Sequence, residues 1–150
     1  MGMFDALNVS ATGLTAERLR MDVTAENLAN AQTTRGADGQ PYRRKEVVLA
    51  EVQNGGFGSQ LAKAIGAGSG AGAQPGGVEV AGITQDQTPG KLVYDPGHPD
   101  ADAKGYVRMP NVDTVAEMVD LISASRAYEA NVTAMNSAKQ MFSKTLDLLR

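Results

Sequence analysis

Residues 114–149, TVAEMVDLISASRAYEANVTAMNSAKQMFSKTLDLL, set the fold of this chain. Leu121, Tyr128, Met135, Phe142 and Leu149 recur every seven residues, and Met118, Ser125, Val132 and Leu146 fill the rows between them. That is the a/d spacing of a helix seam. Neither Gly nor Pro interrupts the stretch, so one helix of roughly 54 Å is expected. Thr114 and Glu117 have the spacing of a capping box, and Pro110 lies just upstream of it. Glu117 and Asp120 near the start, with Lys139, Lys144 and Arg150 near the end, complement the helix dipole.

The other end of the chain carries a second periodic stretch. Over residues 3–32, Phe4, Leu7, Ala11, Leu14, Met21, Ala25 and Leu28 follow steps of three and four, with Arg18 as the exception. Gly13 weakens this helix by about 1 kcal/mol relative to Ala, and Gly36 offers a left-handed cap. Between the helices, Tyr42–Val52 reads as a strand. Val48, Ala50 and Val52 lie on one face, and Arg43, Lys45, Val47, Leu49 and Glu51 on the other. Short strands are expected at Val78–Ile83 and Lys91–Tyr94. Residues 54–77 hold 9 of the 17 glycines and read as a flexible loop, because side chains no larger than Ser in its centre cannot offset the ordering entropy.

The expected fold is therefore mainly α. Long N- and C-terminal helices, within residues 1–36 and 111–150, pair as an antiparallel coiled coil around a small β/loop insertion at 37–110. Two helices bury only their facing sides and lack a closed core. Neighbours are needed, either copies or relatives of this chain. The candidate subunit-interface residues along the seams are Phe4, Leu7, Leu14, Met21, Leu28, Met118, Leu121, Tyr128, Met135, Phe142 and Leu149.

Composition removes several function classes. The 150 residues carry 14 basic and 17 acidic side chains, 14 − 17 = −3, which argues against a general nucleic-acid binder. The absence of Cys rules out disulfides, thiolate zinc sites and a Cys nucleophile. No apolar run is long enough for membrane insertion, and the start, with Asp5, does not read as a secretory signal. His98 is the single His, among Asp95, Asp100 and Asp102, but two prolines and a glycine there point to a tight turn rather than a metal site. The glycine run lacks the Lys-Ser/Thr ending of a phosphate loop, and no nucleophile elbow exists. Arg43-Arg44-Lys45, followed by Glu46, reads as a solvated or interface strand rather than a nucleic-acid patch. No catalytic residue, cofactor or metal is expected, and the chain does not read as an enzyme.

Several motifs resemble a known family. Ser10-Ala11-Thr12-Gly13-Leu14, Arg18-Leu19-Arg20-Met21-Asp22 and Asn27-Leu28-Ala29-Asn30-Ala31-Gln32-Thr33-Thr34 are similar to the amino-terminal signature of flagellar rod and hook proteins. Tyr94-Asp95-Pro96-Gly97-His98-Pro99-Asp100, Gly105-Tyr106-Val107 and Met109-Pro110-Asn111-Val112 are similar to the proximal-rod members. Ser123-Ala124-Ser125-Arg126-Ala127-Tyr128-Glu129-Ala130-Asn131 agrees with them. Glu26 stands where the family usually has Asn, and Asp113 where Asn is commoner. The resemblance implies a structural subunit of the proximal rod of the flagellar basal body. It implies assembly with other rod proteins and further copies of itself, contact with a rod-base adaptor and the MS ring, and export through the flagellar type III apparatus to the periplasm without a cleaved signal. It also adds Asn27, Asn30 and Asn131 to the candidate interface. The alternative is a helical secretion chaperone or adaptor that stays in the cytosol.

Overall fold

The computed structural model describes residues 3–36, 38–52 and 76–148. Helix α1 spans Met3–Ala29 and helix α2 spans Thr114–Leu148. They run antiparallel. Phe4 meets Phe142, Gly13 faces Asn131, Arg20 faces Asp120 and Asn27 bonds Glu117. Between them come β1 (Lys45–Glu51), β2 (Val78–Gln85), β3 (Leu92–Tyr94) and β4 (Tyr106–Arg108). The strands form two antiparallel hairpins, β1–β2 and β3–β4. Among the described residues the first hairpin packs on α1, and α2 has α1 as its one neighbouring element. Leu149, and the glycine-rich stretch except for Gly76 and Gly77, lie outside the described residues.

Both helices have ends that differ from the sequence expectation. α1 stops at Ala29, short of residue 32. Asn30 donates its side-chain amide to the Glu26 carbonyl, and Thr33 N–H bonds the Asn30 carbonyl. Asn competes with the helical ladder in this way. Gly36 is not the left-handed cap; the positive φ belongs to Gly39, at 70°, inside a turn closed by Gly36 N–H on the Gln40 carbonyl. At the start of α2 the cap is Asp113, whose Oδ1 accepts from Val115 and Ala116 N–H at 3.0 and 3.4 Å. Thr114 and Glu117 do not form the expected capping box, because the Glu117 carboxylate is buried elsewhere.

The β1–β2 register runs from Lys45↔Gln85 to Glu51↔Val78, with a slip between Val48 and Leu49. A slip of this kind adds local twist. The half-buried positions are consequently Lys45, Val47 and Ala50, and neither expected face of the strand survives along its length. β2 starts against α1. Val78 N–H bonds Thr12 Oγ1, and a Cβ on Gly77 would lie 2.2 Å from that oxygen. β4 is absent from the sequence expectation. It is three residues long, between Gly105 (φ 78°) and Pro110, and its Val107 is buried.

Fully buried apolar side chains among the described residues are Ala16, Val23, Val107, Ala124 and Ala138. Three of these five are alanines, each contributing about one buried methyl, or ~0.8 kcal/mol. The helices meet through small residues. The large seam residues flank that line instead of filling it.

Candidate subunit interface

A buried polar node ties the strands to both helices. Asn27 is 1 % exposed near the end of α1. Its amide donates to the Lys45 carbonyl at 2.8 Å and to Glu117 Oε2 at 3.0 Å. Its Oδ1 accepts from Lys45 N–H and from the Tyr42 hydroxyl, both at 2.9 Å. All four hydrogen-bonding demands of the Asn amide, two donated and two accepted, are met here, and the backbone N–H and carbonyl of the first β1 residue are satisfied by the same side chain. Glu117, also 1 % exposed, accepts from Arg44 Nε at 2.5 Å. That charge-assisted bond raises the Arg44 pKa above the ordinary guanidinium value. Arg44 reaches Asp120 at 3.4 Å and Glu46 at 3.9 Å, and its N–H bonds Asn111 Oδ1. Burial, with Glu26 and Glu117 nearby, pushes the Tyr42 phenol up to about 12. Lys45 pairs with Glu26 at 2.5 Å. A cavity of about 250 Å³ lies against this cluster, lined by Val23, Val47 and Leu49 as well as the charged groups.

The node corrects several sequence expectations. Glu117 and Asp120 answer Arg44 in addition to the helix dipole. Arg44, expected on a solvated or interface strand, is bound within its own chain as a clamp. Asn27, expected at the subunit interface, is enclosed by its own chain and has no surface left for a neighbour. Asn30 bonds its own helix and Thr33. No single-sequence spacing links Asn27, Arg44 and Glu117, and the capping-box spacing offers Glu117 a simpler role.

The seam residues occupy a flank. Leu7, Leu14, Met21 and Leu28 on α1 are half-buried, as are Leu121, Tyr128, Asn131 and Met135 on α2. Phe4 is 72 % exposed, edge-to-face with Phe142 at 6.2 Å; Phe142 and Met118 are exposed too. The line facing α1 is Glu117, Ala124, Asn131 and Ala138, again at seven-residue steps. The row of largest side chains, Leu121, Tyr128, Met135 and Phe142, runs four residues further on from that line. The seam spacing also passes over Val115, Val119 and Ile122, which are exposed on α2. Their i, i+4, i+7 spacing was legible as a second apolar stripe.

The Asp95–Asp102 segment is a turn. Gly97 N–H bonds Asp95 Oδ1, and His98 Nδ1 accepts Asp100 N–H at 3.1 Å. Asp100 is directed at Thr34 and Arg35, which fixes the turn to the segment after α1.

A helix pair with so thin a core, a buried polar node and apolar faces left open has the make-up of a structural subunit completed by others. Two family models match the same helices: "Flagella basal body rod protein" over residues 7–37 and "Flagellar basal body rod FlgEFG protein C-terminal" over residues 103–148. The chain is 51 % identical to the flagellar basal-body rod protein FlgC of Bacillus subtilis, over 99 % of both chains. It is 49 % identical to FlgC of Borreliella burgdorferi, over 100 % of this chain and 99 % of the relative, and 48 % identical to FlgC of Escherichia coli O157:H7, over 99 % and 98 %. The chain belongs to the flagellar basal-body rod protein family, a family of structural proteins and not of enzymes. The chaperone alternative has no support among these relatives.

Proposed function

We propose that this chain is a subunit of the proximal rod, assembling helically with other rod proteins and with copies of itself to form the drive shaft and the wall of the export channel. The observation that carries this reading is the coincidence of the two family segments with the two helices that pair and leave apolar faces open. The helical part, 1–36 and 111–150, forms the rod core, and the 37–110 segment joins neighbours outside it. Heterologous contacts that do not close produce such a filament. The seam residues flanking the α1–α2 line, Leu7, Leu14, Met21, Leu121, Tyr128 and Met135, meet adjacent subunits. The rod-base adaptor and the MS ring are the expected neighbours at the base. Delivery through the flagellar type III apparatus places the rod in the periplasm. A narrow export channel requires an unfolded chain, and a core of mostly alanines makes that state accessible.

Fractionation tests the reading. A tagged chain that complements a deletion strain should sediment with detergent-isolated basal bodies. Recovery wholly in the soluble cytosolic fraction of swimming cells would refute it.

A further inference from the structure

We propose that two polar contacts, Asn131 seated on Gly13 and Glu117 bonded to Asn27, lock the helix pair into a single register that its apolar pattern does not specify. The inference concerns the chain by itself and does not depend on the rod reading. The apolar rows repeat every seven residues, through Leu14, Met21 and Leu28 on α1 and Leu121, Tyr128 and Met135 on α2. The line of α2 that faces α1 repeats likewise, through Ala124 and Ala138. Sliding one helix past the other by a heptad, about 10 Å, lays these rows on themselves again. Burial of apolar area therefore distinguishes the registers poorly. Polar residues at facing positions distinguish them well.

The two contacts lie two heptads apart on each helix. At the first, a Cβ on Gly13 would stand 2.9 Å from Asn131 Nδ2 and 3.4 Å from its Cγ, so the amide occupies the space of the missing side chain. This gives a poor helix former a role inside α1. One heptad to either side of Gly13 stand Ala6 and Arg20, which both carry a Cβ. Neither neighbouring register offers Asn131 the same seat. The hairpin holds α1 at the adjacent residue, where Thr12 Oγ1 accepts Val78 N–H at 3.2 Å. At the second contact the Asn27 amide donates to Glu117 Oε2 at 3.0 Å, and Glu117 is buried. A slide of one heptad sets Asn27 against Ala124 in one direction and beyond the start of α2 in the other. Both separate the buried carboxylate from that donor. In the second direction Arg20 comes opposite Glu117 and answers its charge, so that register is excluded by the Gly13 seat. The remaining ties at this end, Arg44 and Arg20 on Asp120 at 3.4 and 3.9 Å, are partly exposed and weaker.

The chain has no native Cys, so nitroxide labels at Arg18→Cys and Lys139→Cys, both exposed positions, report one distance along the pair by pulsed electron paramagnetic resonance. The double variant Glu117→Ala/Asn131→Ala places alanine at all four positions of the facing α2 line, and circular dichroism checks its helix content. The labelled wild type should give one distance. The labelled double variant should add a second population shifted by about 10 Å, one heptad. A separate measurement covers a double variant that loses its helices. Gly13→Ala should raise Tm by about 3 °C in an Asn131→Ala background, where helix propensity alone acts, and should leave Tm unchanged or lower it when Asn131 is present. The proposal is overturned if a helical double variant keeps the single wild-type distance, if the wild type itself shows two distances a heptad apart, or if Gly13→Ala shifts Tm equally in both backgrounds.

Discussion

Arg44→Met should destabilise the chain far more than Glu117→Gln, although the two residues share one bond. Glu117 is 1 % exposed, and without Arg44 its carboxylate keeps only the Asn27 amide at 3.0 Å. Leaving a buried charge unpaired in this way costs about 3–5 kcal/mol. Arg44 is differently placed. Its side chain is 28 % exposed and retains Asp120 at 3.4 Å and Glu46 at 3.9 Å when Glu117 is neutral. Gln at 117 has a single acceptor oxygen, so it keeps either the Arg44 or the Asn27 bond and turns its NH2 towards the other donor; with no charge left unpaired the loss is about 2 kcal/mol. The double variant Arg44→Met/Glu117→Gln removes the stranded charge and should recover about 2 kcal/mol relative to additivity. Urea unfolding followed by circular dichroism measures all three variants, at a concentration where wild-type helix content no longer changes. Equal losses for the two single variants, or a strictly additive double, would refute the node as the clamp between strands and helices.

Ala124→Glu should abolish rod assembly and swimming while secretion persists, because Ala124 is fully enclosed between the helices; immunoblots of the exported fraction and motility plates check both, with Glu129→Gln as the mild control. Met135→Glu should be the weaker of the two lesions, since Met135 is half-buried and its carboxylate can turn to solvent. The raised phenol of Tyr42 stabilises the fold fully below pH 10 and loses that contribution as pH rises from 10 towards 12; Tyr42→Phe should flatten this alkaline loss of helix signal. Gly90→Ala should prevent β3–β4 from closing, since a Cβ there would sit 1.8 Å from the Met109 carbonyl oxygen. Limited proteolysis of that variant should cut the 91–108 region sooner than in wild type.

The two helices were legible because their apolar spacing is long and broken only at Arg18, and the thin core followed from the same spacing. The exact line of contact was not. Large side chains such as Tyr128 and Met135 dominate a hydrophobic pattern, whereas close helix approach selects Ala16, Ala124, Ala138 and Gly13. α1 also has a second neighbour in the β1–β2 hairpin, so a seam assigned for a helix partner alone is displaced. β1 was visible from its alternation, but the slip at Val48/Leu49 moves its covered positions in a way that no alternation records. The polar node was hidden because its members are separated by up to 90 residues. Two members have an adequate local role, Arg44 as a strand charge and Glu117 as a capping acid, and Asn27 enters only through the resemblance, as an interface residue. The departure at Asp113 is conservative in physical terms, as Asp113 caps α2 and Asn is an equally favoured N-cap residue in general. Glu26 provides the Lys45 partner.

Neighbouring rod subunits should complete the apolar faces of this helix pair. A side-chain-resolution reconstruction of the rod in isolated basal bodies measures it directly. The α1–α2 pair should form part of the rod wall, with Val115, Val119 and Ile122 at one end and Phe4, Phe142 and Leu146 at the other covered by adjacent chains. A rod in which this chain is present but those six side chains face solvent or the open channel would contradict it.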